Sequence, residues 1–414
     1  MTPEGSEPEL PLPRIEKFVV DASMVAAGKF AGQLPEERLD HPDYFPQNIL
    51  SLDLQLEKNL GVITFDDDVN IHSLWAGEGT GAVFKGDLFL FAPSCVPAGL
   101  CVTGNIDCSG ALWAPEGDIC AGGKIRIRHG NLEAGGSIKA DYSINLDDEY
   151  AILAGGDLEC PNGLVEAAAI IAGGNCKAVS AVCTGWILEI GGDFTVSRRA
   201  NAPCGIVVGG SAIVGEDIHT DGSIKVGGDL NAKDGISAHE IDAKNISTLR
   251  SLYANDDVSA THDITSGGKV VSRYGNIRAG ENIVAADDLS APDGWIEAKG
   301  AIRTGPDKNT NQGGMLGDGG AIRAEAGLQA GGDIISYKGI DSGGDISSDG
   351  CIYAEDGIRA GGSIRSKRTI SAGGNIFAGA TSEKTRYGDH IFCQRVISGR
   401  VRTGRLVSEF ETDL

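Results

Sequence analysis

The chain has 414 residues, 58 acidic against 35 basic, with a net charge of −23 and a pI near 4.6. That balance excludes a general nucleic-acid binder, which needs a basic footprint, and no apolar run approaches the length of a membrane-spanning helix. Sixty-one glycines beside 14 prolines exceed the share of an ordinary globular domain, yet they lack the strict third-position period of collagen.

Residues 1–14 are rich in Pro and Glu and are expected to be flexible. Their acidic start is the opposite of a secretory signal, so a cytoplasmic location is expected. Residues 15–100 show no regular short repeat. They carry Phe18-Val19-Val20, Tyr44-Phe45, alternating runs at Leu52–Leu56 and Val62–Phe65, Trp75, and Leu88-Phe89-Leu90-Phe91. A repeat array needs its apolar end covered, so this segment is expected to be an N-terminal cap, with a small separate domain as the alternative.

Residues 101–380 carry the repeat. It is clearest at Ile322, Leu328, Ile334, Ile340, Ile346, Ile352, Ile358, Ile364, Ile370 and Ile376, in one unbroken six-residue register. Two residues after each stands Ala or Ser, and Gly-Gly often precedes the next aliphatic, as at Gly343-Gly344 and Gly373-Gly374. Alternation puts the aliphatic and the small residue on one face of a short strand, and the glycines are expected to supply the tight bend or positive φ of a corner. A helix would not tolerate so much glycine, and strands this short cannot stand as independent hairpins. The pattern predicts an all-β fold, a parallel β-solenoid of three hexads, roughly 18 residues, per coil. Residues 305–320 interrupt it and are expected to form a protruding loop, of the kind that often serves binding in repeat arrays. Residues 381–414, with Lys384, Arg386, Arg395, Arg400, Arg402 and Arg405 before an acidic tail, are expected to be further strands or a C-terminal cap.

The recurring Ala-Gly-Gly-[Asp/Ser/Asn]-[Ile/Leu] units resemble the polymer-forming bactofilins and the β-solenoid portion of flagellar assembly protein A. The resemblance spans roughly residues 100–380 and concerns the repeat, not any active site. It implies a right-handed parallel β-helix in a bacterial protein with a scaffolding role. This solenoid is much longer than that of the bactofilins.

Catalytic chemistry is not expected. The repeat-region histidines His129, His219, His239 and His262 lack the loop setting and acyl-carrier motif of hexapeptide-repeat transferases. The pairs Asp147-Asp148, Asp256-Asp257 and Asp287-Asp288 stand near turns, where Asp is favoured for bending. Ten cysteines include no Cys-x-x-Cys, so neither zinc nor another metal is expected, and several fill repeat slots as small hydrophobes. No Gly-Lys-Ser/Thr follows the glycine pairs, and no cofactor is expected.

What remains is charge. An acidic solenoid without catalytic machinery is expected to bind a basic protein partner, neither nucleic acid nor membrane, and to form a homo-oligomer in some settings. The concrete expectation is a bacterial immunity or inhibitor protein that occludes a basic, nucleic-acid-acting toxin or enzyme. The alternative is a self-assembling bactofilin-like scaffold, and a hexapeptide-type transferase comes third. Contacts are expected on the loop and on outward positions: Asp307, Lys308, Asn309, Asn311, Met315, Asp318, Asp341, Tyr353 and Phe377.

Overall fold

The computed structural model describes residues 15–32, 34, 51–305, 314–317, 320–379, 390–393, 395–397, 400–402 and 405–408. Among them there is no α-helix, only one 3-10 turn at Ala22–Met24 and short strands, so no helix is long and apolar enough to cross a membrane. The chain divides into two compact units, Met1–Ala178 and Val179–Leu414. Each is a parallel β-solenoid with three strand faces.

In the first unit, the first face stacks Ile15–Val20, Ser51–Leu56, Ser73–Ala76, Ser94–Cys95, Leu112–Ala114, Leu132–Ala134, Ala151–Ala154 and Ala169–Ala172, each parallel to the next. Parallel coils therefore already occupy residues 51–100, the stretch expected to be a cap before a solenoid starting at 101. Their irregular spacing hides a core of the same design, with Leu54, Ile63, Leu74, Phe84 and Leu88 fully buried. Phenylalanine takes the aliphatic slot here, and the Phe65 and Phe84 rings stack at 4.7 Å in successive coils.

In the second unit, Ile322, Ile340, Ile358 and Ile376 are successive partners on the first face. Leu328, Ile346 and Ile364 stack on the second, and Ile334, Ile352 and Ile370 on the third. The six-residue register thus puts every third aliphatic in one column, as the sequence predicts. The small residue two positions on is buried as well, giving the in-out-in burial of nearly every strand. The strands at 390–408 continue the parallel pairing.

The corners correct one expectation. Gly136, Gly174, Gly210, Gly350 and Gly362 are not among the glycines with positive φ. A Cβ on any of them would overlap the Oδ1 of an aspartate one coil earlier: Asp118, Asp157, Asp193, Asp333 and Asp345 respectively. Each of these carboxylates accepts the backbone N–H of the residue after the glycine, as in Ser137 N to Asp118 at 2.6 Å and Cys351 N to Asp333 at 2.7 Å. At these five corners the glycine is therefore a matter of room for the neighbouring coil's side chain, whereas Gly344 and Gly374 meet the backbone carbonyls of Ala326 and Asp356.

Inward serines at strand ends do a related job. Ser348 Oγ donates to the Gly332 carbonyl one coil back at 2.7 Å and accepts the Gly350 N–H at 3.0 Å. Ser336 and Ser366 repeat the arrangement. Replacing Ser348 by Ala leaves the Gly332 carbonyl and the Gly350 N–H to their longer mutual bond of 3.3 Å, and is expected to cost about 1 kcal/mol in urea unfolding. An unchanged midpoint would remove the corner role assigned to these serines.

Candidate protein-binding face

Inward positions are used by the core, and each face carries one outward row that a partner could meet. In the second unit the three rows differ in chemistry. The first-face row reads Arg278, Glu297, Arg323, Asp341, Arg359, Phe377 in successive coils, opposite charges lying side by side. The second-face row is mostly uncharged and polar, with Asn231, Ser247, Thr265, Val284, Arg303, Gln329 and Ser347. The third-face row is apolar and aromatic: Tyr253, Val271, Ser290, Leu316, Ile335, Tyr353.

The alternating first row is explained by the fold itself, since opposite charges on neighbouring strands stabilise a ladder by about 0.2–1 kcal/mol per pair. Arg278 also lies over the Trp295 ring, 4.6 Å from its centroid, and an open groove of about 660 Å³ runs past Trp295, Arg323, Lys338, Asp341, Arg359 and Phe377. The third row gains ladder energy of the same size from Tyr253 beside Val271 and Ile335 beside Tyr353, but it leaves apolar surface facing water. Its side chains point away from the core, yet Tyr253 is 46% exposed and Val271, Leu316, Ile335 and Tyr353 are half-buried. Interrupted only by Ser290, this row presents apolar side chains to water, a feature that marks interaction sites when the patch is large.

The strip floors a groove of about 310 Å³, where Ser290, Leu316 and Ile335 meet Asp288, Asp333, Asp349 and Arg368. Tyr337, at the adjoining corner and 41% exposed, packs edge-on against Tyr353 at 6.2 Å. The carboxylates along the groove are engaged. Asp288 takes a 2.8 Å hydrogen bond from Lys269, which raises the lysine pKa above its ordinary value, and Asp349 pairs with Lys367 at 2.8 Å. Asp333 accepts the Cys351 amide. The groove therefore offers an apolar, tyrosine-flanked floor with a charge-balanced rim. Among the described residues, no group of three or more His, Cys, Asp or Glu converges to hold a metal ion.

The residues singled out from sequence are not gathered in one place. Asp341 and Phe377 share the first-face groove, and Tyr353 belongs to the third-face strip. Asp307, Lys308, Asn309, Asn311 and Asp318 lie outside the described residues. Met315 does not face a partner: it opens the strand Met315–Gly317, pairs with Leu289 and Ile334, and is 1% exposed. The expected loop at 305–320 thus contains a coil strand, with Met in the aliphatic slot. It is the next residue, Leu316, that faces outward. Leu316, Ile335, Val271 and Tyr253 were missed because their kinship shows only when outward residues are read one coil apart, and the extra residues before Met315 break that period.

No protein-family model, curated protein or solved structure matches this chain. Its class is the one that the fold defines, a parallel β-solenoid protein.

Proposed function

We propose that the chain is a non-catalytic binding protein that holds a protein partner on the third face of its second unit. The observation that carries this reading is the outward strip Tyr253, Val271, Leu316, Ile335 and Tyr353, which water leaves poorly solvated and the core does not use. The partner supplies apolar or aromatic anchors for the groove, since aromatic pairs contribute most where water is excluded. The charge-balanced rim does not select a basic partner; the net charge of −23 does, by steering its approach. An immunity or inhibitor protein covering a basic, nucleic-acid-acting toxin or enzyme in a bacterial cytoplasm fits both terms.

The test begins with the full chain purified from its own host at low salt, its peak analysed by light scattering and mass spectrometry. A discrete particle with one stoichiometric basic protein is expected. The double substitution Leu316→Asp and Ile335→Asp should then weaken that complex at least tenfold while leaving the β-type circular dichroism unchanged. Retained affinity in the double variant would sink the third-face assignment.

A bactofilin-like scaffold is the second reading, and one observation favours it. Run antiparallel against a second copy, the first-face row is its own complement, Arg323 opposite Asp341 and Glu297 opposite Arg359. Assemblies of this chain alone that fall apart as ionic strength rises, with no basic partner, would replace the binder reading with this one.

A further inference from the structure

Four of the six cysteines of the first unit form two contrasting pairs. Cys108 and Cys160 are buried, and burial pushes their thiols up to about 12 and about 11. They stay protonated and inert at neutral pH. Cys101 and Cys120 differ. Each is the outward middle residue of a second-face strand, Leu100–Val102 and Ile119–Ala121, and each is half-buried. The two strands are parallel neighbours, and Cys101 and Cys120 are direct register partners. Neighbouring strands lie about 4.8 Å apart, inside the roughly 4.4–6.8 Å Cα separation that a disulfide spans.

In this pairing the neighbouring Cys120 thiol brings the Cys101 thiol down to about 7, while that of Cys120 is raised. The surroundings modify this in both directions. The Asp118 carboxylate disfavours thiolate at both positions, whereas Lys139, the next residue in the row and paired with Glu159 at 3.1 Å, favours it at Cys120. Val83 flanks Cys101 on the other side of the row. A nucleophilic thiolate beside a second thiol is the arrangement that thiol–disulfide exchange requires.

We propose that Cys101 and Cys120 are a dithiol that small-molecule disulfides oxidise to an intrachain bridge between adjacent coils. The Cys101 thiolate attacks one sulfur of R–S–S–R, forming a mixed disulfide and expelling RS⁻, which takes up a proton. Cys120 then loses its proton and attacks the Cys101 sulfur, forming the bridge and expelling the second RS⁻. The net exchange converts two protein thiols and one small disulfide into one protein disulfide and two small thiols. The protein is oxidised and the small disulfide reduced, with no other reagent.

The experiment uses the full chain with oxidised glutathione as probe at neutral pH, read by intact mass and peptide mapping. Trypsin is unsuitable, because Gly86–Lys124 contains no internal Lys or Arg and keeps both cysteines in one peptide. Cleavage at acidic residues cuts at Asp107 and Glu116 and separates them. A cross-linked Cys101–Cys120 peptide, with loss of two hydrogens and no retained glutathione, is the expected product. Cys120→Ser should instead hold a stable mixed disulfide on Cys101, and Cys101→Ser should react at least tenfold more slowly. A wild-type chain that retains glutathione on Cys101, or that modifies neither residue while remaining folded by circular dichroism, overturns the proposal.

Discussion

Replacing Gly210 by Val is expected to destabilise the second unit by about 3 kcal/mol or more, combining overpacking with a strained hydrogen bond. The reason is local and countable. A Cβ at this position overlaps Asp193 Oδ1 and the Gly192 backbone of the preceding coil. Asp193 cannot step aside cheaply, since that oxygen accepts the Ser211 N–H at 2.8 Å, and Gly210 itself donates to the Gly192 carbonyl at 2.9 Å. The added side chain must therefore open the spacing between two coils. Gly61→Ala is the control for Gly210→Ala, which adds the same methyl. Nothing lies within 4 Å of its added methyl, but its φ is +71°, so its cost of about 1 kcal/mol is conformational. Urea unfolding of both variants separates the mechanisms. Combining Gly210→Ala with Asp193→Ala should recover part of the loss, whereas no such partner exists for Gly61. Equal costs for Gly210→Ala and Gly61→Ala, with no recovery, would contradict the steric account.

The second large effect is expected at Ile340→Ala. Ile340 is 1% exposed and stacks between Ile322 and Ile358 in the first-face column. Its nearest equivalents are held in ladders on both sides and cannot collapse inward, so a cost of about 2–5 kcal/mol follows. Contacts in an array reach only the neighbouring coils, and so should the damage. Hydrogen exchange is the measurement that distinguishes local from global loss. The Ile340 amide, bonded to the Gly357 carbonyl at 3.0 Å, and the Ile322 amide, bonded to Gly339 at 3.1 Å, should lose protection first. The outward neighbour Asp341→Ala should cost less, about 0.2–1 kcal/mol for each of its cross-strand pairs with Arg323 and Arg359. Uniform loss of protection across the unit would show that coils are coupled more widely than nearest neighbours.

Much of this architecture is legible in the sequence because an inward slot has one requirement, an aliphatic or small side chain, repeated at a fixed interval. Where that interval holds, from Ile322 to Ile376, the columns can be read directly. Where it slips, the reading fails for identifiable reasons. Residues 51–100 fill the same slots with Leu and Phe at uneven spacing, and their coils pass for a cap. The corner glycines look like turn formers, since their second neighbour, an aspartate a whole coil away, is not visible along the chain. Met315 sits among glycines and asparagines, and only its pairing to Leu289 and Ile334 reveals the slot it fills. Outward rows are harder still, because the fold asks nothing of them. Asp341 and Phe377 can be read as outward positions but not assigned to a row, and Leu316 and Ile335 are ordinary hydrophobes until stacked.

The corner arrangement has a consequence for how such a chain can change. Each aspartate acceptor is matched to a glycine one coil later, so neither residue is free to drift alone, and the two are expected to vary as a linked pair. A whole coil, by contrast, can be removed or duplicated between equivalent points, such as Ile322 and Ile340, and every donor, acceptor and core slot finds a partner of the same kind. Length in this protein is therefore quantised. Single-residue insertions are confined to corners, while the viable large steps are whole coils.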